Sequence, residues 1–193
     1  EDLYRLADLD ESEKISGSVK SSIKSRLPWL IVNLGTAILA AATVSLFENT
    51  IEKIVALATF MPIVAGMGGN AGTQTLTMII RGIALGELNF ENEKEVLKKE
   101  ILVGLVNGTF LGIVVATLGF LWVGNMVFGL VIGIAMFLNL VIATIAGYFV
   151  PLILKKINVD PALASGVFVT TVTDVLGFFF FLGLATLMIN FLI

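Results

Sequence analysis

Cysteine and histidine are both absent from the 193 residues of the sequence. Without cysteine no disulfide framework can form, and the usual ligands of zinc, copper and iron–sulfur sites are missing. Any metal that the chain handles is therefore expected to be a hard cation bound by oxygen. Neither an enzymatic activity nor a nucleic-acid partner is predicted.

Charged residues are also scarce, at 14% of the sequence, whereas 57% of the residues are hydrophobic. The charges are clustered, and residues 27–47, 54–80 and 101–154 contain none. Between residues 161 and 193 the only charge is Asp174. So large an apolar surplus exceeds what a soluble core needs, and it predicts a chain that faces lipid.

The uncharged stretches predict membrane-spanning helices, since about 20 apolar residues cross the hydrocarbon core. The longest stretch has room for two helices, separated by a turn near Gly124, Asn125 and Gly129. The sequence therefore predicts an all-α integral membrane protein with five transmembrane helices per chain. They are expected at about residues 28–47, 54–80, 101–122, 128–154 and 164–190.

The positions of the basic residues predict the orientation. Eleven of the twelve lysines and arginines lie in the N-terminal segment and in the second and fourth loops, and the other is Lys53 in the first loop. Because basic residues favour the cytoplasmic side, we expect a multi-pass protein of the plasma or inner cell membrane. Its N-terminus is predicted to be cytoplasmic and its C-terminus to lie outside.

The segment before the first span is polar with an apolar repeat, which predicts a cytoplasmic connecting helix over residues 1–26 and a membrane domain over residues 27–193. A plain juxtamembrane linker is the alternative. The sequence begins without methionine, and we expect a longer cytoplasmic part before it. The capping pair is Asp10 and Glu13, and the repeat is Ile15, Val19, Ile23 and Leu27.

The second span is unusually rich in glycine and polar residues. Pro62 removes a backbone donor and the glycines weaken the helix, so carbonyl groups are expected to be freed beside protein or water. Tight packing through a GxxxG pair is the alternative, but packing alone does not require polar side chains. The segment contains Gly66, Gly68, Gly69 and Gly72 together with Asn70, Thr73 and Gln74, which are predicted to line a pathway.

Asp174 is a second unusual feature, because a carboxylate at that depth costs about 2.5–3.5 kcal/mol to insert. No predicted span contains a lysine or arginine to pair with it, so its counter-charge is a proton or a transported cation. Thr170 and Thr171 share its helix face. The alternative is a protonated aspartic acid bonded to a neighbouring helix.

The depths of the two features agree. Asn70 and Asp174 each lie about 15 Å from the inner surface at 1.5 Å per residue, so they are predicted to meet at one level. A two-fold dimer would bring two copies of Asp174 together against a divalent ion. Mg²⁺ sheds its waters reluctantly, which favours a wide site that binds the hydrated ion.

Other motifs are interpreted as structural. The charged loop from Gly86 to Glu100 is interpreted as a solvated helix end, and a regulatory cation site is the alternative. Glycines of the third span form two overlapping GxxxG patterns for helix packing, and one asparagine in each of three spans is expected to bond across helices. These residues are Gly104, Gly108 and Gly112, and Asn33, Asn107 and Asn139.

Four motifs together resemble the membrane domain of the MgtE family of Mg²⁺ channels. The motifs are Pro62-Ile63-Val64-Ala65-Gly66-Met67-Gly68-Gly69-Asn70-Ala71-Gly72-Thr73-Gln74, Arg81-Gly82, Asp160-Pro161-Ala162 and Thr173-Asp174-Val175-Leu176-Gly177. The resemblance extends over residues 27–193.

This resemblance implies a homodimer of ten helices around a central pore lined by spans two and five, with Mg²⁺ as transported ion and pore ligand. It implies that the Asp174 pair recognises hydrated Mg²⁺ and that the carbonyl of Thr170 faces the ion. Gly166 falls where some relatives have a polar residue, so no ligand is assigned to it. The metal residues are expected to be Asp174, Thr170 and Thr171, and the pore lining Asn70, Thr73, Gln74, Gly69, Gly72 and Thr173.

The resemblance further implies a plug role for the segment before span one, and N-terminal and CBS regulatory domains that are expected to be missing from this sequence. Channel-like Mg²⁺ transport is the predicted function. A proton- or Na⁺-coupled divalent cation exchanger with Asp174 as carrier is the main alternative. A non-transporting membrane anchor is a third interpretation, which leaves the buried polar residues unexplained.

Overall fold

A computed structural model describes residues 15–89 and 91–193, including their side chains except those of residues 163 and 164. The described residues form seven α-helices and no strand. The all-α prediction is therefore confirmed for this part of the chain. The helices are α1 (Val19–Ser45), α2 (Glu48–Lys53), α3 (Ala56–Ala84), α4 (Glu93–Val123), α5 (Met126–Lys156), α6 (Pro161–Leu187) and α7 (Ile189–Leu192).

Local sequence explains where the long helices begin and end. Helix α4 ends at Gly124, which has a left-handed backbone with φ of 74°, and Asn125 caps α5 by accepting hydrogen bonds from Val127 and Phe128. Asp160 caps α6 in the same way, with Pro161 at the first helical position. The predicted turn at Gly124 and Asn125 is confirmed, whereas Gly129 was wrongly included because it lies inside α5.

Four helices in the described part of the chain are long and apolar enough to cross a membrane: α1, α4, α5 and residues 165–187 of α6. Helix α3 has 29 residues, which is long enough, but it is not among these four. The glycines and polar side chains predicted to mark its function also lower its hydropathy. Four of the five predicted spans are therefore supported by both length and composition.

The first helix runs farther toward the N-terminus than the predicted span. It begins at Val19, after Ser18 accepts a hydrogen bond from the backbone of Ser21, and it continues through Pro28. Part of the predicted connecting segment is thus continuous with the first span. The predicted capping pair, Asp10 and Glu13, lies outside the described residues.

Helix α5 forms the centre of the fold, packing against α3, α4 and α6, whereas α1 packs mainly on α6. Large apolar side chains of α3, α5 and α6 make one continuous core. Apolar side chains on the outer faces of α1 and α4 remain exposed, as expected for helices in contact with lipid. The buried core includes Leu57, Phe60, Val64, Ile132, Met136, Leu140, Phe181 and Leu182.

Candidate functional site

Helices α3 and α6 approach each other through the glycines of α3. A Cβ atom added to Gly72 would lie 2.5 Å from Cγ1 of Val169 and 3.7 Å from Cγ2 of Thr173. A Cβ atom on Gly69 would lie 3.8 Å from Cγ2 of Thr170, which is ordinary contact. The glycine segment of the second span therefore meets the turn that precedes Asp174, and the predicted approach of these two segments is confirmed.

The backbone of α3 stays helical through this contact. One helix runs from Ala56 to Ala84 with Pro62 inside it. The expected weakening of the helix is therefore not accompanied by a break, because packing against α5 and α6 holds the glycine segment in place. Pro62 still lacks the amide hydrogen that would bond to the carbonyl of Ala58.

Asn139 of α5 contacts both α3 and α6. Its side chain is fully buried, and its Nδ2 donates a 2.8 Å hydrogen bond to the backbone carbonyl of Val64. The amide packs between Gly68 of α3 and Gly177 of α6, where Cβ atoms would collide with it. The predicted bond across helices is confirmed for Asn139, and its carbonyl oxygen has no hydrogen-bond donor in the described part of the chain.

Asp174 lies half-buried on α6, one helical turn beyond Thr170. Its carboxylate makes no hydrogen bond or ion pair with any residue that the structure describes. A carboxylate at this depth that lacks a protein counter-charge is left to interact with water, a proton or a cation. The contacts within the described chain do not include the neighbouring-helix bond that the structural alternative requires.

The threonines beside Asp174 use their hydroxyl hydrogens within α6. Thr170 Oγ1 donates to the carbonyl of Gly166 at 3.0 Å, and Thr171 Oγ1 donates to that of Val167 at 2.6 Å. Both hydroxyl oxygens therefore keep lone pairs that can accept hydrogen bonds or contact a cation. The carbonyl of Thr170, predicted to face the ion, accepts a 2.9 Å hydrogen bond from Thr173 Oγ1.

The predicted pore-lining residues divide between surface and interior. Asn70, Thr73 and Gln74 are exposed on α3, whereas Thr173 is fully buried against Gly72. Thr173 thus contributes to the packing of α3 on α6 within one chain. The polar side chains of α3 are the ones available to solvent or to another molecule.

A cleft of about 380 Å³ opens between α1, α3 and α6, and we name it the threonine cleft. It brings together Thr73 and Thr170, two predicted site residues from different helices. Gln74 instead borders a separate cleft of about 240 Å³ between α3, α4 and α5. The threonine cleft is lined by Asn33, Thr73, Leu76, Thr77, Gly166, Val167 and Thr170.

Glu100 is a buried acid that the sequence interpretation missed. Its relative exposure is 4%, Thr75 Oγ1 donates to it at 3.3 Å, and Lys99 Nζ lies 3.7 Å from Oε1. The interpretation as a solvated helix end is therefore wrong for this residue. Glu100 precedes Gly104 by four residues, so it lies on the packing face of α4, and this spacing was the available signal.

A carboxylate cage for a metal ion is not present in the part of the chain that the structure describes. No three aspartate, glutamate, histidine or cysteine side chains come together there. Asp174 is the only acidic residue of α6, so a cation beside it would contact from this helix one carboxylate, neutral oxygens and water. This donor set suits a cation that keeps most of its hydration shell.

The sequence matches a known protein family and several curated relatives. The model of the MgtE family, described as a divalent cation transporter, matches residues 61–184, which contain the α3–α6 contact and Asp174. The chain is 39% identical over 165 residues to "Magnesium transporter MgtE" of Bacillus subtilis, covering 86% of this chain and 37% of that protein.

Two further relatives are also named "Magnesium transporter MgtE". The protein of Enterococcus faecalis is 32% identical over 192 residues, covering 100% of this chain and 42% of the relative. That of Thermus thermophilus is 31% identical over 193 residues, covering 98% of this chain and 42% of the relative. The chain spans about two fifths of the length of these curated relatives.

Proposed function

The chain belongs to the MgtE family of divalent cation transporters, and we propose that it forms the membrane pathway of a Mg²⁺ transporter. The observation that carries this proposal is the contact of the α3 glycines with the α6 turn beside Asp174, a carboxylate without a protein partner in the described chain. Two membrane segments with polar groups that lipid cannot satisfy thus lie side by side.

We further propose that α3 is the fifth spanning helix and that the pathway lies at the axis of a homodimer. Asp174 is the only acidic residue between residues 161 and 193 of one chain, and a two-fold axis would bring two copies together. Two carboxylates match the charge of Mg²⁺ without stripping its waters, because that ion is dehydrated reluctantly. A positive-inside orientation places the N-terminus in the cytoplasm.

Each predicted residue has a specific part in this proposal. Asp174 supplies charge, Thr170 and Thr171 supply oxygen atoms on the same helix, and Gly69 and Gly72 allow α3 to approach α6. On the exposed side of α3, Asn70, Thr73 and Gln74 supply polar groups to the pathway. Thr173 supports the pathway from within the interface by packing on Gly72.

The direct test is Mg²⁺ flux into liposomes that contain the wild-type chain or Asp174→Asn. Asparagine keeps the side chain's size but removes the charge, so flux per folded protein should fall at least about tenfold, equivalent to about 1.4 kcal/mol. Folding should be retained, because the cost of inserting a charge is also removed. Glu100→Gln neutralises a buried acid elsewhere and should leave flux within about twofold of wild type.

Normal flux through Asp174→Asn would contradict the assignment of the site. The ion gradients then distinguish the mode of transport, since a channel follows the Mg²⁺ gradient without any pH or Na⁺ gradient. Flux that requires one of those gradients would favour the exchanger. Absence of Mg²⁺ flux in folded wild-type protein would contradict transport by this chain and favour the membrane anchor.

A further inference from the structure

The threonine cleft contains a side chain from a third helix, Asn33 of α1. Helix α1 packs on α6, and the cleft lies where α1, α6 and α3 come together. Asn33 is partly exposed there, with Thr73 and Thr170 lining the same cleft. The predicted site of α3 and α6 is thus extended by one polar side chain that neither helix supplies.

Three of the asparagines within the predicted spans have different surroundings. Asn139 is fully buried and bonded to Val64, as a packing residue is expected to be. Asn107 borders the separate cleft beside Glu100. The side-chain amide of Asn33 makes no hydrogen bond to another described residue, so it is available to a ligand in the threonine cleft.

The cleft offers several hydrogen-bond acceptors to a ligand. The hydroxyl hydrogens of Thr77 and Thr170 are used, since Thr77 Oγ1 donates to the carbonyl of Thr73 at 2.8 Å and Thr170 Oγ1 to that of Gly166 at 3.0 Å. Their oxygens therefore offer lone pairs only, and the amide oxygen of Asn33 is a further acceptor. Among the described residues that line the cleft, none is charged.

Acceptors without charge suit a hydrated cation. Water bound to a cation directs its oxygen to the ion and its hydrogens outward, so a hydrated ion presents donors to its surroundings. Six waters in the octahedral shell of Mg²⁺ occupy about 180 Å³, at about 30 Å³ each. The cleft volume of about 380 Å³ admits an ion of this size.

We infer that Asn33 of α1 binds the water shell of the transported divalent cation in the threonine cleft, forming an uncharged binding point separate from Asp174. The inference rests on the proposed function and adds α1 to the pathway. Thr170 precedes Asp174 by one helical turn, so this binding point lies about 6 Å along α6 toward its N-terminal end. An ion at this binding point would therefore lie close to the carboxylate of Asp174.

The test measures Mg²⁺ flux at a series of Mg²⁺ concentrations in liposomes, with inhibition by cobalt(III) hexaammine as a second measurement. This probe presents N–H donors on all sides and does not exchange its ligands readily. Asn33→Leu removes the acceptor, and we expect the Mg²⁺ concentration for half-maximal flux and the inhibitory cobalt(III) hexaammine concentration to rise at least threefold, roughly the loss of one hydrogen bond.

Asn33→Asp keeps the acceptor and adds charge, so both concentrations should fall below those of wild type. Asn107→Leu is the matched control, because it makes the same change on α4, a helix to which no pathway residue is assigned, and it should leave both concentrations unchanged. Folded fractions are measured for every variant. A change in maximal flux alone, without a change in either concentration, would assign Asn33 to packing and overturn the inference.

The same experiment separates this inference from the proposed function. If Asn33→Leu behaves as wild type while Asp174→Asn loses flux, the inference fails and the proposed function stands. If neither variant changes flux, both fail. If Asn33→Leu does not fold, Asn33→Asp decides, and an unchanged response to cobalt(III) hexaammine in that variant would contradict the inference.

Discussion

Two interfaces in this chain are built on closely spaced glycines, and they differ in what the glycines face. At the α4–α5 interface, Cβ atoms on Gly108 and Gly112 would lie 3.1 Å and 2.9 Å from the backbone carbonyls of Phe137 and Gly133. At the α3–α6 interface, Gly69 and Gly72 face side chains of the turn before Asp174. The glycines of the α4–α5 interface therefore face backbone atoms, whereas those of the α3–α6 interface lie close to the charged residue Asp174.

A GxxxG spacing predicts close helix approach but not the role of that approach. Small residues allow two helices to approach in lipid wherever they occur. Around the α4–α5 glycines the neighbours are largely apolar, as expected for structural packing. Beside the α3 glycines lie Asn70 and Thr73, and α6 brings Thr170 and Asp174. We therefore expect the two interfaces to respond differently to the same substitution.

The largest difference is expected between Gly72→Leu and Gly108→Leu. Even a Cβ atom on Gly72 would lie 2.5 Å from Val169 Cγ1, so leucine must push α3 away from α6. We expect Mg²⁺ flux per folded protein to fall at least about tenfold, a barrier change of about 1.4 kcal/mol. In Gly69→Leu the leucine side chain extends toward Thr170, and this variant should also reduce Mg²⁺ flux.

Gly108→Leu is the matched packing variant. It crowds the backbone of Phe137, so it should lower the free energy of unfolding by about 1–3 kcal/mol, while surviving protein conducts within about twofold of wild type. Dimer content is measured separately by chemical cross-linking. If all the leucine variants lose flux only in proportion to lost dimer, α3 is a scaffold, and its pore-lining assignment is wrong.

An intermediate effect, on stability, is expected for Asn139→Ala. Asn139 lies on α5, where that helix contacts both α3 and α6. It removes the hydrogen bond to the carbonyl of Val64 and leaves space between Gly68 and Gly177. Hydrogen bonds between membrane helices average about 0.6 kcal/mol and reach about 1.7 kcal/mol. We therefore expect the free energy of unfolding to fall by an amount in that range, and to fall further because packing contacts are lost. Thermal unfolding in detergent provides the measurement, and Asn107→Ala, on an exposed face, is the control. Equal losses in the two variants would show that burial of Asn139 adds nothing.

The smallest effect is expected for alanine at the open glycines of α3. A Cβ atom on Gly66 meets nothing within 4 Å, and one on Gly69 makes only ordinary contact. Both variants should keep flux and gain up to about 1 kcal/mol of stability from helix propensity. Gly72→Ala should instead lose stability through the contact with Val169. A loss of flux in Gly66→Ala without a loss of folding would reveal a need for backbone flexibility that the packing does not explain.

Much of the helical organisation was predictable because the length of each apolar stretch can be counted in the sequence. The turn at Gly124 and Asn125 follows from a left-handed glycine and a capping asparagine, both of which act locally. Asp174 was identifiable because a lone charge in an apolar span is conspicuous. The candidate residues were therefore found by their chemistry, and the approach of their two helices was predicted from their equal depths.

The faces of the helices were harder to predict. In a soluble protein the polar face of a helix points to water, but a lipid-facing residue is as apolar as a core residue. The sequence therefore offered little indication that Thr173 is buried against Gly72 while Thr73 is exposed. It also did not distinguish the buried, bonded Asn139 from Asn33 in the threonine cleft.

By itself, the sequence determined that this chain is helical and apolar, that it lacks cysteine and histidine ligands, and that Asp174 is the exceptional charge in its span. These properties depend on composition and on neighbours along the chain. Only the tertiary structure decided which side chains make the contact between the α3 glycines and α6, that α1 adds Asn33 beside them, and that Glu100 is buried. The physical reason is that helix packing in lipid is set by close contact between surfaces, which a one-dimensional pattern of apolar residues does not specify.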